Sequence, residues 1–187
     1  MKYIIEHFGS KLYKWSLFEY RHASEFVGKK DFIVTNLSSK SIKDISKFAK
    51  SYKESVFNLD FGRGCILDPN AEKTLTPEDA QRFDFLIFGG ILGDNPPQAR
   101  TKEFLSKRSS FPTRNLGKVQ MPTNVAVIAS KMIIDGKRLE QIEFADNIEL
   151  PVSKMLSIHL PYRYISKNGK LLLPDYLIKF IKKRQSI

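Results

Sequence analysis

The 187-residue chain has one cysteine, Cys65, which excludes an internal disulfide and any cysteine cluster for zinc. It has three histidines, His7, His22 and His159, and their spacing suggests no metal triad. They are expected in partly buried or surface positions. No apolar run approaches the ~18 residues needed to cross a bilayer. The start, "MKYIIEHFG", meets a charge too early for the apolar region of a signal peptide. The expectations are therefore no membrane partner and a cytoplasmic location. Repeats and low-complexity segments are also lacking, and no long linker divides the chain, so residues 1–187 read as a single domain.

What is present is an ordinary globular composition, 42% hydrophobic and 27% charged, with a marked excess of one sign. Thirty-one Lys and Arg against 20 Asp and Glu leave +11. Such an excess attracts polyanions through counterion release, so nucleic acid or a ribonucleoprotein is a natural partner. A lysine-rich surface kept for solubility accounts for the same number equally well, because the lysines are spread along the chain.

Periodicity gives an alternating order of elements. "KYIIEHF" (2–8) reads as a strand, and 10–28 as a helix closed by Gly28, with Leu12, Trp15, Phe18, His22 and Phe26 on one stripe. "FIVTNL" (32–37) is a second strand, followed by an amphipathic segment over 41–51 that turns Ile42, Ile45 and Phe48 inward. "GCILDP" (64–69) is a short strand, and Thr76 and Pro77 open a short helix that leads to the apolar run 83–88. A helix over 99–108, a weaker strand over 110–117 and a helix from Thr123 to Gly136 come next. From 142 the signals are mostly β, with an Asn168-Gly169 hairpin turn and a basic amphipathic helix over 175–184.

Strands that are apolar along their length and alternate with helices imply an α/β fold, with a mainly parallel sheet carrying helices on both faces. Ligands of such sheets bind at the carboxyl ends of the strands. The Asp68-Pro69 turn and two glycine-bearing loops, 89–97 and 115–123, all fall there. The first loop is no Walker A, because Gly89-Gly90-Ile91-Leu92-Gly93 ends in Asp94, an acid that repels phosphate. Nor is it a dinucleotide fingerprint, because Pro96 and Pro97 follow where a helix should start. It suits a ligand read by backbone amides and carrying positive charge near Asp94, although a tight loop crossing the sheet accounts for the glycines alone. The second loop ends at a helix N-terminus, whose unpaired amides suit a carboxylate. Glu6 and Glu19 read as lone acids, which are usually solvated.

The combination of "YIIEH", "EY" in the first helix, "LDP" at 67–69, "PEDA" at 77–80, "FGGILGD" with "PP" and "RTKE" at 88–103, "LG" with "QM" at 116–121, and "PYRY" at 161–164 resembles the SPOUT-class methyltransferases. Within that class it is most similar to the fungal ribosomal-protein arginine methyltransferases, over nearly the whole chain. The resemblance implies S-adenosylmethionine (SAM) as cofactor and an α/β trefoil knot, which periodicity cannot show. It places the cofactor against Leu67, Pro69, Gly89, Gly90, Ile91, Gly93, Leu116, Gly117, Gln120, Met121 and Thr123. Gly90→Val is then expected to block cofactor binding. Asp94, and Arg100 with Arg114, are the candidates for handling the nucleophile or positioning substrate and cofactor. Asn115 stands where the resemblance leads one to expect arginine, and 142–160 departs from its pattern. The implied substrate is an arginine of a ribosomal protein, the alternative being a base of ribosomal or transfer RNA. The class commonly forms a homodimer, and no residue here marks the pairing surface.

Overall fold

The computed structural model describes residues 1–9, 11–90, 100–152 and 156–183. Six strands form one parallel sheet: β1 (Lys2–His7), β2 (Phe32–Thr35), β3 (Lys50–Ser51), β4 (Gly64–Leu67), β5 (Phe85–Gly90) and β6 (Thr113–Arg114). Their order across the sheet is β3-β2-β1-β5-β4-β6. The chain thus moves outward from β1 to β3, crosses back, and builds β4, β5 and β6 on the other side. That reversal puts a switch point between β1 and β5, which run side by side from Lys2↔Phe85 to His7↔Gly90. In open parallel sheets the crevice above such a point is where ligands bind.

The strands are buried on both faces, as their near-continuous apolar sequences require. Tyr3 and Ile5 of β1, with Leu86 and Phe88 of β5, join one core. Ile4, Phe85 and Ile87 point into the other, because successive side chains alternate across a strand. The first core is covered by α1 (Lys14–Val27), α2 (Ser39–Ile45), α4 (Thr123–Ile134) and α5 (Asp175–Lys183). The second is covered by Leu105, just past α3 (Arg100–Phe104), and by the aromatic rings of Tyr52, Phe57, Phe61 and Phe111. Gly28 ends α1 at φ 89°, and Asn168 and Gly169, at φ 52° and 73°, make the expected turn between β10 (Tyr164–Lys167) and β11 (Lys170–Leu171). That hairpin pairs with β7 (Phe144–Ala145), and β8 (Ile148–Pro151) pairs with β9 (Ser157–Leu160), so the mostly β reading of the last third holds.

Three details differ from the sequence reading. Strand β3 lies inside the segment read as the end of an amphipathic helix, since α2 stops at Ile45. The short helix at 77–81 is a 3₁₀ turn. And the face of α1 that meets the core carries Ser16, Tyr20, Ala23 and Val27, whereas Trp15 and Phe18 are half-buried and Phe26 is exposed. The aromatic stripe is used for another helix: the Trp15 and Phe18 rings lie 6.0 Å and 5.0 Å from Phe180 of α5.

Candidate active site

At the carboxyl ends of β4, β5 and β6, against the first turn of α1, lies a cavity of 1620 Å³. Pockets for single small molecules usually run to ~300–1,000 Å³, so this one has room for a nucleoside-sized ligand and a substrate side chain together. Its walls come from three strand ends. Leu67 ends β4 and Pro69 follows it, Gly89 is in β5, and Leu116, Gly117, Gln120, Met121 and Thr123 follow β6. Arg100, the first residue of α3, also lines it. Of the residues singled out from sequence, Ile91, Gly93 and Asp94 lie outside the described residues.

Local chemistry explains why these segments hold their shape. Asp68 is buried, and its carboxylate accepts from the Asn70 amide at 2.9 Å and the Ser106 hydroxyl at 2.6 Å, fixing the turn after β4. Asn115 joins that turn to the loop after β6: its Nδ2 donates to the Ala71 carbonyl at 2.8 Å, and its Oδ1 accepts from Thr74 Oγ1 at 3.1 Å and Gly117 N at 2.9 Å. Gly117 sits at φ 84°, in the left-handed region that favours glycine. The asparagine at the position where arginine is expected therefore has a plain role, tying two walls of the pocket together.

Two residues do not stand where the sequence reading puts them. Gly90 does not line the cavity. It is buried against β1 and α1, where an added Cβ would come within 2.4 Å of Tyr20 Oη and 2.7 Å of Ile5 Cγ2, so glycine is needed here for packing. Arg114 points away into a bidentate pair with Asp79, at 2.9 and 3.0 Å, with its guanidinium 5.2 Å from the Phe83 ring centroid. It is spoken for by the fold and is not among the residues that line the cavity.

The acids reverse expectation more strongly. Glu6 and Glu19 are 1% and 7% exposed, not solvated. Glu6 is a cross-tie, accepting from Thr35 Oγ1 and from the Val56 amide at 2.9 Å. Glu19 lines the cavity. Its Oε1 accepts from the Trp15 indole Nε1 at 2.7 Å, and its Oε2 has no hydrogen-bond partner among the described residues. Burial pushes its carboxyl up from 4.5 to about 7, against the opposing effect of the indole donor. A buried acid with a raised pKa on the wall of a cavity is a candidate functional group. Helical spacing carried the signal, since Trp15 and Glu19 are four residues apart and share a face.

The pocket's own chemistry fits an S-adenosyl ligand. Leu67, Phe88, Leu116 and Met121 give it apolar walls, and the N-terminal turn of α4 begins at its edge with Thr123. Gln120 Oε1 is buried with no donor among the described residues, which leaves an acceptor available in the cavity wall.

Comparison with known proteins bears directly on this arrangement. The family model of SFM1-like protein arginine N-methyltransferases matches residues 2–186. The chain belongs to that family. It is 38% identical to the protein arginine N-methyltransferase SFM1 of Saccharomyces cerevisiae, over 98% of this chain and 95% of that protein. The crystal structure of the yeast enzyme complexed with SAM superimposes with a TM-score of 0.90 at 35% identity, covering 100% of this chain and 92% of that one. A Trm10 structure from Thermococcus kodakaraensis, at 18% identity and a TM-score of 0.57 over 75% of this chain and 95% of its own, shares the fold alone.

Proposed function

We propose that this chain methylates an arginine side chain of a ribosomal protein in the cytoplasm. In this reading SAM lies along the three strand-end segments, and Glu19 receives the guanidinium. The observation that carries the reading is Glu19, a buried carboxylate with one oxygen bonded and one facing a cavity that also offers an apolar groove and a helix N-terminus. Leu67, Pro69, Gly89, Leu116, Gly117, Met121 and Thr123 would hold the cofactor, with Gln120 Oε1 accepting from its base and Arg100 beside its carboxylate. Bound SAM supplies a methyl group made electrophilic by its sulfonium.

The protein's task is then placement and proton handling. An in-line displacement needs the nucleophilic nitrogen at about 3 Å from the methyl carbon and on the axis of the breaking bond, so fixing the guanidinium supplies most of the geometry. A guanidinium stays protonated above pH 12, so a proton must leave as the new N–C bond forms. Glu19 is suited to accept it: its elevated pKa makes it a better base than an exposed carboxylate, and the guanidinium brought beside it favours the ionised form. The Trp15 indole fixes the carboxylate's orientation.

A ribosomal substrate is supported by the +11 net charge, which disfavours a free basic peptide and favours one presented on RNA. The deciding experiment offers methyl-labelled SAM with intact ribosomal subunits, the separated ribosomal proteins, and ribosomal and transfer RNA. Label in an arginine of one ribosomal protein is the expected result; label in RNA would replace this reading with base methylation. Sedimentation of the same preparation would show whether the active species is a homodimer.

A further inference from the structure

The excess positive charge is not evenly neutralised. On α1 Arg21 meets Glu25, after α3 Lys107 meets Glu103, and on α4 Lys131 meets Asp135. The segment from Lys29 to Glu54 has little such pairing. It carries seven exposed lysines, Lys29, Lys30, Lys40, Lys43, Lys47, Lys50 and Lys53, against three acids, Asp31, Asp44 and Glu54. Lys2 already occupies Asp31, and Lys47 occupies Asp44. The other six lysines make no salt bridge among the described residues.

These lysines occupy one flank of the fold. Lys40 and Lys43 lie on the side of α2 opposite the buried Ile45, and Lys47 continues the same spacing past its end. Lys29 Nζ donates to the Lys47 carbonyl at 3.2 Å, bringing the α1–β2 turn against the end of α2. Lys50 is on β3, the outermost strand of the sheet. A lysine on an edge strand discourages sheet-to-sheet association, but that accounts for Lys50 alone, since the others sit on a helix and in turns.

We propose that this flank, from the α1–β2 turn across α2 to β3, is a binding surface for the phosphate backbone of folded RNA. Unneutralised, exposed lysines suit phosphates, which they engage as point charges without reading sequence. None of the large exposed apolar residues among the described ones, Tyr13, Phe26, Phe104, Val119 and Leu156, belongs to this segment, so it offers no fully exposed apolar anchor for a bilayer. Strand β3 lies three strands from β5, roughly 15 Å at sheet spacing. Lys29, Lys30 and Lys50 precede or begin their strands, so this surface lies toward the amino edge of the sheet, away from the pocket at the carboxyl ends. The inference does not depend on the identity of the methylated protein.

The test is fluorescence anisotropy of a labelled ~20-base-pair RNA hairpin, titrated with the full chain between 50 and 200 mM salt. A K40E/K43E/K50E variant is expected to bind at least tenfold more weakly and to flatten the slope of log K against log salt by about 2 to 3. K40Q/K43Q/K50Q should fall between that variant and the unchanged chain. K137E/K167E/K170E changes net charge equally, at exposed lysines elsewhere, and should bind nearly as the unchanged chain does. Equal losses in both triple charge reversals would mean diffuse attraction and overturn the proposal, as would lysine-dependent binding to phosphatidylserine vesicles without binding to RNA. Calorimetric SAM affinity reports folding in every variant and is expected to be unchanged.

Discussion

Two buried carboxylates a few strands apart have opposite surroundings. Asp79, 1% exposed, accepts from the Thr76 amide at 3.1 Å and takes both arms of Arg114, so its charge is matched within the fold, and it does not line the pocket. Glu19, 7% exposed, has one indole donor and opens onto the pocket. Burying an unmatched carboxylate raises its free energy, which is why the Glu19 carboxyl is driven up to about 7. The pair on the β6 side is scaffold. The acid on α1 makes no ion pair among the described residues and lines the cavity. A buried acid is thus informative about function only once its partners are counted.

Breaking the scaffold should have the largest effect on stability. Arg114→Ala leaves the buried Asp79 with only the Thr76 amide and, at 3.9 Å, the exposed Arg82 guanidinium, and breaking a buried ion pair typically costs about 3–5 kcal/mol. Urea unfolding at pH 7 should show this as a lower midpoint. Replacing both partners with leucine-sized residues should recover much of the loss, because an apolar pair leaves no stranded charge. If Arg114→Ala left the midpoint unchanged while abolishing SAM binding, Arg114 would belong to the pocket and the contrast would fail.

Glu19→Gln should do the reverse. The amide keeps the shape and still accepts from Trp15, but it neither attracts a guanidinium nor takes its proton, so kcat/KM should drop about 10²- to 10⁴-fold, with SAM affinity retained. Stability should rise at pH 8. The folded state holds the Glu19 proton up to about pH 7 while the unfolded chain releases it near 4.5, so this group's contribution is full below 4.5 and is lost as pH rises through 7. The activity of the unchanged enzyme has the opposite slope. Because the ionised form is the one that works, kcat/KM should climb as pH rises through about 7 and level off above, and Glu19→Gln should remove that limb. A flat profile in the unchanged enzyme would show that Glu19 does not titrate in the reaction.

Gly90 sharpens the line between scaffold and site by a smaller amount. Valine there must displace Tyr20 Oη and Ile5 Cγ2, and overpacking of this kind costs about 1–3 kcal/mol. The expected outcome is a lower melting temperature with unchanged SAM affinity in the protein that remains folded. Selective loss of SAM binding at full stability would restore Gly90 to the pocket.

How legible this was from sequence depends on which forces act locally. The strands and the turns at Gly28 and Asn168-Gly169 follow from period and backbone freedom, and the convergence of Leu67, Gly89 and Leu116 follows from parallel-sheet topology. The depth of Glu19 does not. Its burial arises because α1 turns Ser16 and Tyr20 toward the sheet and offers Trp15 and Phe18 to α5, a choice made by tertiary packing against an apparently stronger aromatic stripe. The same holds for Gly90 and Arg114, which sit inside motifs that invite a ligand reading. Their neighbours Tyr20 and Asp79, distant in sequence, decide otherwise. The threading of a knot leaves no trace in local pattern and is implied by family resemblance alone.

Trp15 offers the finest test of the contrast, because it alters the Glu19 carboxylate without removing it. Its indole donates to Glu19 at 2.7 Å and favours the ionised form. Phenylalanine keeps a ring against Phe180 but donates nothing, and a hydrogen bond to a charged group contributes about 1.5–3 kcal/mol. At 1.36 kcal/mol per pH unit, the ascending limb of kcat/KM in Trp15→Phe should move up by about one to two units. A residue that merely packed would lower activity at every pH without moving the limb. Above the shifted limb, where Glu19 is again ionised, Trp15→Phe should regain most of the original rate, and a limb left in place would show that the indole does not tune the acid.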